Sequence, residues 1–340
     1  MAPIESIEGG FIVDQAIIDV LPKGTTVVSA EPWGLSAWSR TAKLNTLLAD
    51  GTPRRYFVKC ATGKTAKSDV GAEHFSASAI VSYVPEYGPC PVGKGVYEDA
   101  YHGLTHFYVQ EFHDMDTQTP PDPADLASLM AKLHRKSESP NGMFGYPIFS
   151  HLLKDLLRLD NEVNGPWPEF ETACNQLLER VIPKLLGALQ SNGRSIKPSL
   201  VHGDLWEGNV ATDMETGKVI IFDFDECMYA HHEIEMGTWR CRWATHFNSP
   251  MYMLAYQQEM EPSEPVEEFD DRNRLYSIKA AICDSAGHRG SVSRQLAYND
   301  MLYLCEKYAP LESLERYDPL KDISVTGIQE TYDVLAGVVV

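Results

Sequence analysis

Between Leu200 and Glu226 the chain reads LVHGDLWEGNVATDMETGKVIIFDFDE, and it places Asp204, Asn209, Asp223 and Asp225 around two strand-like segments. Polar residues that serve only solubility spread over turns. This set is spaced so that two loops can aim a base and two oxygen ligands at one point. One chemistry that uses such a set is phosphoryl transfer to a hydroxyl. One carboxylate accepts the hydroxyl proton, while an amide oxygen and a second carboxylate hold a hard dication. Asp204, just after Gly203, is the candidate base. Asn209, separated from it by LWEG, and Asp223, at the end of the apolar run KVIIFD, are the candidate magnesium ligands. A carboxylate in the place of Asp223 can bridge magnesium to the β- and γ-phosphates of ATP.

Such a site also needs a cation for the phosphates. Lys59 closes the strand-like RRYFVKC, and Glu73 lies on the helical segment that follows, suited to hold the lysine extended. The turn EPWGLSAW between the first two strands contains Gly34 and Ser36, and it can donate to phosphate oxygens through its amides and the serine hydroxyl. In YVQEFHDM, Glu111 and His113 are placed to meet an adenine edge through their backbone groups.

The elements that must position these residues fall into two groups. FIVDQAIIDVLP has a helical spacing of apolar residues over Phe11–Val20, ended by Pro22. Three strands follow, the last two joined by a hairpin at Asp50-Gly51. DVGAEHFSASAIVSYV predicts a helix, and GKGVYEDAYHGLTHFYVQEF predicts two more strands turning near His102-Gly103. After Phe112 the pattern becomes helical. Asp122 is placed as an N-cap with Pro123 at the first helical position, followed by a stripe of Leu126, Leu129, Met130 and Leu133. SHLLKDLLRLDNEV, EFETACNQLLERVIPKLLGALQSN and the segments from Met251 to Tyr308 read as further helices, with Pro183 beginning or kinking part of one. The expected domains are 1–112, a nucleotide-binding lobe of five strands and one helix, and 113–340, a mainly helical catalytic and substrate lobe.

Composition narrows the classes. A formal net charge of −19 repels phosphate backbones and speaks against nucleic-acid binding. No run of about 18 apolar residues exists for a membrane span, and the N-terminal stretch lacks the basic-then-apolar order of a secretory signal. The seven cysteines form no CxxC pair and fit free thiols in a reducing, cytoplasmic setting. Gly63-Lys64-Thr65 ends like a P-loop, but Val58 stands where its first glycine belongs. His231, His232 and Glu233 have ligand chemistry, yet adjacent side chains of an extended segment diverge.

RRYFVKC, Glu73, LMAKLH, MFGYP, LVHGDLWEGNV, VIIFDFDE and HHEIEMG together resemble the fructosamine kinase (ketosamine-3-kinase) family, within the aminoglycoside-phosphotransferase and protein-kinase-like group. The resemblance implies a two-lobed α+β protein-kinase-like fold with a five-stranded antiparallel N-lobe. It also implies an ATP- and magnesium-dependent kinase of small-molecule or protein-bound sugar-amine adducts. Asp204 is then the base, Asn209 and Asp223 the metal ligands, and Lys59 with Glu73 the phosphate-orienting pair. Trp206 would lie near the sugar. Three positions depart from the family pattern. Asp223-Phe224-Asp225 replaces Asp-Pro-Ala, His232 replaces an arginine, and Pro32-Trp33-Gly34 replaces a double glycine. The first adds negative charge, and Asp225, Glu226 and Glu207 become candidates to attract a protonated amine. Two other readings are a kinase-fold enzyme acting on a different acceptor and a nucleotide-binding pseudokinase scaffold. A scaffold has no need for the base.

Overall fold

The computed structural model describes residues 8–34, 39–145 and 149–327. The chain divides into two compact units. One comprises Met1–Thr119 with Val210–Cys227, the other Pro120–Asn209 with Met228–Val340. The first thus takes in Val210–Cys227, which a boundary after Phe112 leaves in the second.

The first unit is built on an antiparallel sheet of β1 (Thr26–Pro32), β2 (Arg40–Leu47), β3 (Pro53–Thr62), β4 (Pro91–Asp99) and β5 (Gly103–Glu111), in the order β1-β2-β3-β5-β4. Gly51 turns the β2–β3 hairpin with a φ of 83°, and Asp50 accepts the Thr52 amide at 2.9 Å. The first helix, α1 (Gln15–Asp19), is shorter than its apolar spacing predicts. Asp14 caps it by accepting the Ala16 amide at 2.8 Å, so Phe11 and Val13 enter the core from extended chain instead. The period-2 alternation of β3 sends Tyr56, Val58 and Cys60 into that core with Ala42, Leu44, Phe107 and Val109. Lys59 therefore points to the opposite face. It lies inside β3, which continues to Thr62, rather than at the strand's end. The next helix, α2 (Ala66–Tyr83), begins three residues earlier than its apolar pattern and buries Val70, Glu73, Ala77 and Ile80. Three short strands, Met115–Asp116, Val210–Asp213 and Val219–Ile221, form a small antiparallel sheet in the same unit.

The second unit is mainly helical. In α3 (Pro123–Lys136), Asp122 caps the Ala124 and Asp125 amides and Pro123 occupies the first turn. After α4 (Phe149–Asn164) and α5 (Pro168–Gln176), the ladder widens to a π turn over Leu177–Val181 before α6 (Ile182–Leu185). Pro183 has no N–H to continue an α ladder, which accounts for the irregularity at this point. Further on come α7 (Pro250–Glu259), α8 (Phe269–Gly287) and α9 (Ser293–Tyr308). Leu153, Phe170, Leu177, Ile278, Ile282 and Met301 meet in the main helical core. Short strands Ser199–Val201 and Met228–Ala230 pair antiparallel. They frame the loop that carries Asp204. Among the described residues no helix is long and apolar enough to cross a membrane, and all seven cysteines are free.

Candidate active site

The first unit assembles Lys59, Glu73 and Asp223. The Lys59 Nζ lies 2.9 Å from Glu73 Oε2 and 2.8 Å from Asp223 Oδ1. The lysine and glutamate side chains are 17% and 6% exposed, so both ions have lost most of their water and depend on each other. The Asp223 side chain remains 42% exposed, with a face open to a ligand. Burial works against the Lys59 ammonium. The charges of Glu73 and Asp223, and the Asp223 hydrogen bond, outweigh it and hold the lysine above its ordinary pKa. Glu73 responds oppositely. Burial pushes its carboxyl up to about 7, against the pull of Lys59 and with the help of Asp223 and Asp225. The cluster thus has more negative charge than one lysine neutralises.

Asp223 is held in an unusual backbone state. Its φ is 67°, a left-handed conformation that costs a non-glycine residue about 1–3 kcal/mol. Its neighbours impose it. The Ile221 amide donates to the Tyr87 carbonyl at 2.9 Å, and Phe224 is fully buried with its ring 6.3 Å from that of Tyr87. Gly88 makes the approach feasible, because a Cβ there would stand 2.3 Å from the Ile221 carbonyl oxygen. Asp225 is exposed and Glu226 half-buried on the turn that follows.

The remaining residues expected to serve nucleotide binding also fall in this unit. Gly34 has a φ of 76° just after β1, where the Trp33 amide donates to the Thr41 carbonyl at 3.0 Å. Ser36 lies outside the described residues. Glu111 ends β5 and gives its amide to the Cys90 carbonyl at 2.9 Å. His113 uses Nδ1 to meet Asp213 Oδ2 at 2.6 Å.

The second unit holds Asp204, Trp206 and Asn209. The Asn209 side-chain amide donates to the Asp204 carbonyl at 2.9 Å and to Asp204 Oδ2 at 3.1 Å. Those two bonds use the amide nitrogen and orient Oδ1 as the acceptor end, which suits a hard dication. The Trp206 ring folds over Gly208, where a Cβ would come within 2.3 Å of it. This stacking explains a glycine at that position. Glu207 gives its carboxylate to the amides of His246 and Phe247, so its bonds serve the scaffold.

The loop before Asp204 is gripped by residues to which sequence reasoning gave no role. Glu235 is buried, and its carboxylate accepts the His202 amide at 2.7 Å and the Gly203 amide at 3.0 Å. His134 Nε2 meets the same carboxylate at 3.2 Å, while its Nδ1 lies 2.7 Å from the Tyr256 hydroxyl. Burial works to raise the Glu235 pKa. The His134 hydrogen bond and charge, with the His202 charge and amide, hold it below the usual carboxylate range. Thr238 Oγ1 and Trp239 Nε1 both donate to the Leu205 carbonyl, at 2.6 and 3.1 Å. His134 and Glu235 lie in LMAKLH and HHEIEMG, so the motifs marked the segments without revealing their partners.

His231, His232 and Glu233 do converge, contrary to the divergence expected of an extended segment. Their ligand atoms all lie within 4.8 Å of one another. The reason is a 3-10 run that begins at His232 and turns the chain. Glu233 accepts both Arg272 Nε at 2.7 Å and Nη2 at 3.0 Å, and His231 bonds the Tyr276 and Ser263 hydroxyls. A guanidinium on the carboxylate makes this a structural network.

Residues 39–286 match the family model described as fructosamine kinase. A rice (Oryza sativa subsp. indica) chloroplastic protein-ribulosamine 3-kinase is 34% identical over 103 residues, 30% of this chain and 26% of the relative. The chain thus spans about a quarter of that relative's length. Among solved structures, a Thermobifida fusca YX-ER1 protein assigned as a fructosamine-3-kinase superposes with a TM-score of 0.61 at 18% identity, covering 86% of this chain and 99% of that one. A thermostable mutant of the aminoglycoside phosphotransferase APH(4)-Ia gives 0.54 at 13% identity, covering 84% and 97%. These likenesses establish the α+β, protein-kinase-like fold. The family match covers most of the sequence, and this chain belongs to the fructosamine kinase family.

Proposed function

We propose that the chain is an ATP- and magnesium-dependent kinase that transfers the γ-phosphate to a hydroxyl of a ketosamine, a sugar joined through its first carbon to an amine. The observation that carries this reading is Lys59 bonded at once to Glu73 and Asp223. A buried lysine stretched between a helix carboxylate and a loop carboxylate is ready to take up α- and β-phosphate oxygens. In this reading Asp204 accepts the proton of the sugar hydroxyl, and Asn209 keeps its carboxylate oriented. The oxygens of Asn209 and Asp223 are the donors that would hold magnesium, and both are hard ligands of the type it prefers. Magnesium, when bound, neutralises charge on the phosphates. Backbone groups near Gly34, Glu111 and His113, and the Ser36 hydroxyl, serve the nucleotide. Trp206 offers an apolar ring to the sugar, and Asp225 with Glu226 attracts the protonated amine.

The test is incubation with ATP, magnesium and a panel of fructose–amine and ribulose–amine adducts, free fructose, choline and an aminoglycoside, with products weighed by mass spectrometry. A ketosamine phosphorylated much faster than free fructose is the expected result. Equal rates on both would remove the ketosamine assignment. No phosphorylated product from any acceptor would remove the kinase assignment.

A further inference from the structure

Gly203, the residue before the proposed base, is held on both sides of its backbone by buried charged side chains from two different elements. Its amide goes to Glu235, on the 3-10 run His232–Arg240. Its carbonyl accepts Lys279 Nζ of α8 at 3.2 Å. Lys279 is 5% exposed, and a lysine is almost never buried so far unless its charge is used. On the same helix, Arg272 meets Glu233 at 2.7 Å and Arg274 meets Asp322 at 2.8 Å, so these buried cations bind scaffold carboxylates. Lys279 reaches the loop that carries Asp204.

The location matters because of glycine. Gly203 has a φ of 85°, and without a Cβ it is the link of the loop most easily rotated. The peptide unit is planar, so the direction of the Gly203 carbonyl also sets the direction of the Asp204 amide across the same bond. Fixing that oxygen fixes the frame from which the Asp204 side chain leaves. The buried thiol of Cys241 senses both Lys279 and Asp204. Burial raises its pKa, the charges of Asp300, Asp284 and Asp204 add to the rise, and Lys279 opposes it.

We infer that Lys279 is a positioning residue for the phosphoryl transfer proposed above. Its ammonium pins the Gly203 carbonyl, fixes the peptide plane that leads into Asp204, and sets a positive charge beside the loop. The inference rests on that reading for its kinetic consequence, but its structural content can be read without turnover.

Two variants and two readouts test it. Lys279→Met keeps the length of the stem and removes the charge, whereas Lys279→Arg keeps a cation. Hydrogen exchange of the His202–Leu205 amides, followed by mass spectrometry, should quicken about tenfold in Lys279→Met, with the amides of the α5 and α9 core unchanged. Lys279→Arg should stay closer to wild type. In the kinase assay, Lys279→Met should lower kcat by about ten- to a hundredfold, the range for losing a charged hydrogen bond. KM for ATP should stay within about twofold, and Lys279→Arg should restore part of kcat. Unchanged exchange at His202–Leu205 in Lys279→Met would overturn the inference, whether or not the wild type phosphorylates any acceptor. Exchange that quickens equally across the helical core would overturn it too, because the lysine would then serve packing alone. If the exchange result holds and the wild type shows no kinase activity, the function fails and the positioning stands.

Discussion

Replacing Glu235 by glutamine should destabilise the helical unit by several kcal/mol while changing almost no volume. The carboxylate accepts two backbone amides, from His202 and Gly203, and meets His134 Nε2. Glutamine has one acceptor oxygen and one donor NH2. At least one amide must therefore face another donor. A buried donor left unpaired costs about 1–3 kcal/mol, and each charge-assisted bond reduced to a neutral one forfeits part of a further 1.5–3 kcal/mol. The combined penalty is about 2–5 kcal/mol. At about 2–4 °C per kcal/mol for a unit of this size, the melting temperature should fall by about 5–15 °C. Differential scanning calorimetry at neutral pH reads this directly. The penalty should shrink in acid. Glu235 is held below the ordinary carboxylate range, so its contribution is present above the unfolded pKa and is lost as pH falls through the lower folded value. A melting temperature within about 1 °C of wild type at neutral pH would refute the reasoning, because the two amides would then have found other partners at no cost.

Three further outcomes are expected. Asp204→Asn should keep nucleotide binding by calorimetry but lower turnover by at least about a hundredfold; near-normal turnover removes Asp204 as the base. Lys59→Ala and Glu73→Ala should each reduce activity, and the double variant should lose less than the sum, since the two side chains meet at 2.9 Å and act as one unit. Strictly additive losses in the cycle would count against the pair. Glu73→Gln should change how stability varies with pH. The wild-type carboxyl is pushed up to about 7, so its contribution is fully present below the unfolded value and is lost as pH rises through 7. Relative to the glutamine variant, the wild type should therefore weaken between pH 5 and pH 8 by at most ~3 kcal/mol, and parallel stability curves would contradict a raised Glu73.

Local signals carried much of the first unit. Asp50-Gly51 announced a hairpin, and the alternation of Tyr56, Val58 and Cys60 fixed the core-facing side of β3, which sets Lys59 on the other. Asp122-Pro123 marked the start of α3 through chemistry confined to four residues. Asp204 and Asn209 stood out as a base and a metal ligand, but their spacing did not announce the hydrogen bond between them, which depends on how the loop folds back. Phe11–Val20 misled because its apolar spacing suits a helix, whereas the Asp14 cap divides it into extended chain and a short helix.

What stayed hidden is charge whose partner lies far along the chain. Every residue of α8 from Asp271 to Ile282 is buried, so the helix has no polar face and no amphipathic period to read. In the sequence its Asp271, Arg272, Arg274 and Lys279 look like an ordinary solvated surface. Packing reverses their meaning. Asp271 takes Lys307, Arg272 takes Glu233, Arg274 takes Asp322, and Lys279 takes the Gly203 carbonyl. Glu235 was hidden in the same way, as one acid among 48, until its burial required two amides and a histidine to accompany it. Burial selects which charges must be satisfied, and each satisfied charge then ties two distant segments together. The motif around Asp204 suggested the chemistry proposed above. The buried charges of the 3-10 run and of α8 hold that motif in one conformation.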